Sequence, residues 1–255
     1  MQILYKPRMG LRVTFLGSGD AFGSGGRMNA CILVEAEETR FLLDFGASSL
    51  IAMRRHGVDP NEIDAILISH LHGDHFGGIP FLVLDSQFVT KRTDPLTVAG
   101  PPGTRSRIEQ AMEVFYPGSS QRDHGFELDL VEMEPGASRR LGSLQVTPFL
   151  VSHPSGAPPL ALRIEVEDRV IAYTGDTEWC DSLIDAGREA NLLIAEAYFY
   201  DREVAHHLDY RTLASHLDEI APKRLVITHM SDEMLARADS LECDFAQDGL
   251  TIELQ

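Results

Sequence analysis

The sequence predicts an α/β protein in which two β-sheets pack face to face with helices on their outer sides. Three observations carry that prediction. Short apolar, β-branched segments recur along the chain, helical patterns interrupt them, and the strands fall into a crowded early group and a second group in the later half. At 255 residues, 44% hydrophobic and 24% charged, the chain can build one large core, so a single domain over 1–255 is expected.

The early strands are Arg12 to Leu16, Ala30 to Val34, Phe41 to Phe45 and Ile66 to Ser69. Leu96 to Ala99, Leu128 to Met133, Leu144 to Val151, Ala161 to Val166 and Val170 to Thr174 follow, then Leu192 to Glu196, Leu225 to Thr228 and Leu250 to Leu254. Ser48 to His56 reads as a helix stopped by Gly57. Thr104 to Phe115 places Ile108, Met112 and Phe115 on one helical face. Asp181 to Ala186 and Arg211 to Ile220 complete the helices, the last ending before Pro222. The remaining stretches Gly19 to Arg27, Phe76 to Gln87 and His153 to Pro159 are expected to be loops around a site. The glycines at 17–26 lack both the G-x-G-x-x-G spacing and a P-loop lysine. They read as a loop beside the site, with Arg27 and Asn29 as phosphate contacts.

Charge and cysteine narrow the class. With 22 basic and 39 acidic residues the net charge is −17, and the basic residues are short and scattered. Such a balance repels the nucleic-acid backbone. Cys31, Cys180 and Cys243 are far apart and form no C-x-x-C pair, which argues for a reducing compartment. Met1 to Gly10 has no continuous apolar core of a signal peptide, and no stretch is long enough for a membrane span. A cytoplasmic enzyme without membrane partners is expected.

Chemistry is concentrated in Ser69-His70-Leu71-His72-Gly73-Asp74-His75, directly after the apolar run Ile63 to Ile68. Three imidazoles and a carboxylate at a strand's C-terminal end suit Zn²⁺, Fe²⁺ or Mn²⁺. His70 and His72, two apart in an extended segment, point to one side and can grip one ion. Asp74 and His75, past a glycine, can reach a second. His153, Asp176 and His229 each follow a core strand, so converging strand ends can gather all of them.

These residues resemble the metallo-β-lactamase superfamily. The signature His70-x-His72-x-Asp74-His75, then His153, Asp176 and His229, keeps that family's order, and the similarity runs from Phe15-Leu16-Gly17-Ser18-Gly19 to Thr228-His229. The resemblance implies an αββα four-layer sandwich with two divalent ions, zinc first and manganese or iron as alternatives, at one edge of the sheets. It implies that His70, His72 and His153 hold one ion, that Asp74, His75 and His229 hold the other, and that Asp176 bridges them. Asp44 matches the family's early Asp and is expected to orient a ligand through a hydrogen bond. A water between the ions would lose a proton near neutral pH and attack as hydroxide, with Asp74 both ligating and orienting it.

Within the superfamily the chain looks like the ribonuclease Z and phosphodiesterase branch, which has an additional His between the bridging Asp and the last ligand. His207 fits that position and His206 less well; Glu196 matches a Glu that would hold His207 and favour its protonated form. His207 would protonate the departing alkoxide or stabilise charge on the phosphoryl oxygens. His56, His124 and His216 read as background. One departure stands out. Long forms of ribonuclease Z carry an arm between the positions of His153 and Asp176 that grips transfer RNA, whereas here only residues 154–175, 22 in number, lie between them. The cysteine-rich zinc site of the related cyclic-phosphate phosphodiesterase is not evident either. The expected reaction is therefore metal-dependent hydrolysis of a small phosphodiester, a cyclic phosphate or nucleotide-like molecule. A transfer-RNA 3′-processing endonuclease, a thioester or lactone hydrolase, and a non-catalytic accessory protein are the alternatives; pairing of two copies is left open.

Overall fold

The computed structural model describes residues 10–254. The leader expectation for Met1 to Gly10 lies outside the described residues apart from Gly10. Among the described residues, two seven-stranded sheets form. The first takes β1 (Leu11–Gly17), β2 (Cys31–Glu35), β3 (Arg40–Leu43), β4 (Ala65–Leu67), β5 (Leu96–Gly100) and β6 (Leu128–Glu132). The second takes β7 (Arg139–Leu141), β8 (Leu144–Leu150), β9 (Leu160–Val166), β10 (Arg169–Tyr173), β11 (Leu192–Glu196), β12 (Leu225–Thr228) and β13 (Asp244–Phe245). The last strand, β14 (Thr251–Leu254), returns to the first sheet and pairs antiparallel with β1, Leu11 opposite Leu254. The spatial orders are β14-β1-β2-β3-β4-β5-β6 and β13-β12-β11-β10-β9-β8-β7.

Helices α1 (Ser49–Arg55), α2 (Gly73–Phe76), α3 (Ile79–Phe88) and α4 (Thr104–Phe115) belong to the first half. The second half has α5 (Ser182–Gly187), α6 (Tyr210–Ser215), α7 (Leu217–Ile220) and α8 (Asp232–Leu235). The strands are apolar on both faces, and this divides the core into three layers. In β2, Ile32 and Val34 face the middle layer with Leu144, Leu162 and Ile171 of the second sheet, while Cys31 and Leu33 turn to the outer layer with Met53, Leu82 and Ile108. Leu193 and Ile227 face the third layer, packed with Leu183, Leu213 and Met234. Helix, sheet, sheet, helix is the αββα order expected. No helix among the described residues is long and apolar enough to cross a membrane.

The strand directions place the site. β3 to β6 are mutually parallel, as are β10 to β13, and β8 runs with β10 because both are antiparallel to β9. The C-terminal ends of β3, β4, β8, β10, β11 and β12 precede Asp44, the His70 to His75 segment, His153, Asp176, Glu196 and His229, Glu196 being the last residue of its strand.

Two expectations need correction, and four short elements had no counterpart in the sequence pattern. Phe76 to Gln87 is not a loop: it holds the end of α2 and most of α3, with Ile79, Pro80, Leu82, Val83, Asp85 and Ser86 buried. A helix buried on several sides has no 3.6-residue polar period to read, and Pro80 sits in its first turn, where proline is tolerated. The single helix Arg211 to Ile220 divides at His216, which ends α6 and begins α7 and stacks on Trp179 at 3.8 Å. The short edge strands β7 and β13 and the single-turn helices α2 and α8 carry no apolar run of their own and escaped the pattern.

Candidate metal centre

The segment after β4 makes the turn that its residues suggest. His72 is extended (φ −88°, ψ 152°) and caps α2, whose single turn carries Asp74 and His75. That turn seats tightly: a Cβ at Gly46 would lie 2.0 Å from the Asp74 carbonyl oxygen, so only glycine fits there. Gly175 has φ 57°, and a Cβ on it would stand 2.7 Å from Ser69 Cβ, so it too must be glycine to bring Asp176 in. Asp44 and His229 hold left-handed backbone (φ 58° and 54°), conformations that cost about 1–3 kcal/mol each and cluster at functional sites.

The ligand atoms collect in two groups, His70 with His72 and His153, and Asp74 with His75, Asp176 and His229, each within 4.8 Å of one another. Asp176 lies between them. Its Oδ2 is 3.9 Å from Nε2 of both His70 and His153 and 3.4 Å from His229 Nε2, while Oδ1 is 3.3 Å from His75 Nε2. Nε2 of His153 is 3.0 Å from Nδ1 of His72.

Hydrogen bonds around the cluster turn lone pairs inward. Asp44 Oδ2 accepts from His75 Nδ1 (2.6 Å), Ser69 Oγ (2.8 Å) and Tyr173 OH (2.8 Å), and its Oδ1 accepts from Ser69 N (2.7 Å). With its own proton given to Asp44, Ser69 Oγ accepts from His70 Nδ1 at 3.1 Å. His153 Nδ1 donates to the His206 carbonyl at 2.8 Å. These bonds engage Nδ1 and turn Nε2 of His70, His75 and His153 toward the middle of the cluster, the usual way that outer partners orient a ligand.

The donor set fits divalent cations. His70 Nε2 and Asp176 Oδ1 are buried without a hydrogen-bond partner. The site also concentrates positive charge: burial works against a protonated His229, yet Asp176 and Asp74 outweigh it and raise its pKa to about 9. His75 is likewise driven well up by Asp176, Asp74 and Asp44 against burial. Imidazole and carboxylate suit zinc, manganese and iron alike.

His207 faces this cluster from the loop between β11 and α6. Its Nδ1 donates to Glu196 Oε2 at 3.0 Å, and its ring meets that of His153 edge-on at 5.0 Å. Glu196 is buried, and its other oxygen accepts the Thr177 backbone N–H. Burial and the Asp176 charge push its pKa up to about 6. Burial opposes a charge on His207, but the Glu196 bond overcomes it and the His207 pKa rises.

The family model described as Anti-Pycsar protein Apyc1 matches residues 11–252. The chain belongs to this family. Ribonuclease Z of Methanosarcina acetivorans is 29% identical to this Apyc1-family chain over 268 residues, covering 87% of the chain and 88% of the relative. The crystal structure of human tRNase Z, short form, superposes with TM-score 0.78 at 26% identity, covering 96% of this chain and 99% of that one. The metallo-β-lactamase fold protein YhfI from Bacillus subtilis superposes with TM-score 0.76 at 22% identity, covering 95% and 99%. The Apyc1-family chain is thus a metal-dependent hydrolase of the metallo-β-lactamase superfamily, in its ribonuclease Z and phosphodiesterase branch.

Two further expectations are revised in this Apyc1-family member. Arg27 is engaged within the protein: its guanidinium is half-buried and donates to the carbonyls of Met230 (2.6 Å), Ser24 (3.2 Å) and Ala246 (3.4 Å). Asn29 is also engaged, donating to Asp20 O and accepting from Ser48 N and Oγ. His206 contributes its backbone: with φ 72° and its N–H on Glu178 at 3.0 Å, it aims its carbonyl at His153. Ser69, Tyr173 and Tyr198 lie at the centre but went unread in sequence. A buried tyrosine at a strand end, which must find a hydrogen-bond partner, is the one signal that marks Tyr173.

Proposed function

We propose that this chain is a dinuclear metal phosphodiesterase acting on a small phosphodiester, a cyclic phosphate or nucleotide-like molecule, in one domain over 1–255. The observation that carries it is the His207–Glu196 pair, an imidazole bound to a buried carboxylate and facing the ligand cluster. His70, His72 and His153 would hold one ion, Asp74, His75 and His229 the other, and Asp176 both, with zinc the first choice. Bound there, divalent ions supply acidification of water and polarisation of the phosphoryl group. Asp74 accepts a hydrogen bond from the attacking water and orients it. His207 holds a proton at Nε2 and gives it to the departing oxygen as the P–O bond breaks, so that the product leaves as an alcohol. Glu196 keeps that imidazole oriented and charged beforehand. A thiolate leaving group needs no such acid, which favours phosphodiesters over thioesters. Three free cysteines suit a reducing, cytoplasmic setting.

A second reading, transfer-RNA 3′-end cleavage by the same chemistry, is favoured by relatives named Ribonuclease Z. Against it, β9 and β10 are joined by the two-residue turn Glu167-Asp168, which leaves no arm, and the chain is strongly acidic. The test is turnover by metal-loaded protein of a 2′,3′-cyclic nucleotide, bis(p-nitrophenyl) phosphate, a thioester, a lactone and a transfer-RNA precursor. His207→Ala is expected to cost about 10²–10⁴-fold on the cyclic phosphodiester, whose alkoxide needs a proton, and far less on the p-nitrophenyl ester, whose leaving group does not. Turnover confined to the thioester or lactone, or an unimpaired His207→Ala, would overturn the phosphodiesterase; efficient precursor cleavage at physiological salt would select the second reading.

A further inference from the structure

Tyr198, two residues past Glu196, lies with its ring against the face of His207, centroids 4.9 Å apart and planes inclined by 30°. The same ring is 6.1 Å from that of His229 and meets Phe199 edge-on at 4.8 Å. Its backbone is tied on both sides: the N–H donates to Leu208 O at 2.9 Å, and the carbonyl accepts from Ser231 N at 3.1 Å and Ser231 Oγ at 2.6 Å. The backbone that carries the ring is therefore fixed on both sides.

His207 needs such support. Its side chain is 25% exposed and sits in an irregular loop closed by the isolated bridge between Val204 and His207. One hydrogen bond from Nδ1 to Glu196 fixes that atom but leaves the ring free to tilt about it, and a tilt moves Nε2, the atom that must meet the departing oxygen. A misplacement of about 1 Å in such a group costs on the order of 10²-fold in rate. An aromatic face against the imidazole removes the tilt and is itself favourable toward a cationic ring.

We propose that Tyr198 is a positioning residue for His207: its ring, carried on that fixed backbone, holds the imidazole plane so that Nε2 points at the leaving oxygen. The inference rests on the reading of His207 as the acid. Tyr198 touches no reacting atom, so its effect is confined to the step that His207 serves. Tyr198→Ala should lower kcat on a 2′,3′-cyclic nucleotide by on the order of tenfold or more with KM unchanged. Bis(p-nitrophenyl) phosphate turnover should be little affected, and metal content should match the unsubstituted chain. Tyr198→Phe, which keeps the stacking face, should recover most of the loss. In a His207→Ala background, Tyr198→Ala should cost nothing further, because the residue acts only through the missing imidazole.

The inference fails if the two losses add in full, if both substrates suffer equally, if Tyr198→Phe is as damaging as Tyr198→Ala, or if Tyr198→Ala sheds metal. An unimpaired His207→Ala would remove the proposed acid and this inference together. An impaired His207→Ala with fully additive Tyr198→Ala would remove this inference alone.

Discussion

The carboxylate of Asp44 serves both groups of ligands at once. It holds His75 directly and His70 through Ser69, so one side chain orients a ligand in each. Asp44→Asn keeps the shape but has one acceptor oxygen in place of two for four donors. Loss of such an outer partner typically weakens metal binding by about 10–100-fold. Metal stoichiometry and chelator competition should show weakened binding at both positions; unchanged occupancy and affinity would refute the role. Asp44 was legible in sequence through its match to the early Asp of the metallo-β-lactamase superfamily, and the His70 to His75 segment because its ligands crowd into six residues. His153, Asp176 and His229 were legible through their places after strands. The hydrogen bonds that orient them were not, because nothing local reveals that Tyr173, 129 positions away, reaches Asp44. Arg27 misled for the same reason: a guanidinium in a glycine-rich loop looks like a phosphate contact until the carbonyls that absorb it come into view.

At the scale of elements, the strand ends do the aiming and the glycines allow them to meet. The end of β10 reaches the centre through Gly175, whose left-handed backbone and closeness to Ser69 leave no room for a methyl group. Gly175→Ala should lower stability by about 2–6 kcal/mol, the sum of backbone strain and overpacking at about 1–3 kcal/mol each. Urea denaturation reads this, and a change within ~0.5 kcal/mol, the range of an ordinary surface substitution, would show that the turn relaxes freely. The strands other than the short edge strands β7 and β13 were legible because each is a compact apolar run. α3 was not, because Ile79, Leu82, Val83 and Ser86 are all buried and the polar face that marks a surface helix is absent.

For the whole molecule the dominant quantity is charge. At −17, the protein repels an anionic substrate over distances set by the ionic atmosphere, which shrinks from about 30 Å at 0.01 M salt to about 8 Å at 0.15 M. For a small phosphodiester, kcat/KM should therefore rise with ionic strength over that range. A steep fall with salt, as counterion release from a bound polyanion gives, would point to a nucleic-acid groove instead.

The pairing of β1 with β14 has a consequence for how the chain is made. Leu11 sits opposite Leu254, and Arg12 reaches Glu253 at 2.8 Å, so a strand at one end of the described chain waits for a neighbour at the other. During translation β1 can pair with β2 early, yet its other side stays an open edge until residues 251–254 have left the ribosome. An unpaired edge of that kind templates association with other chains, and a charge on it opposes such contacts. Arg12, which faces Glu35 on β2 and Glu253 on β14, puts such a charge on that strand.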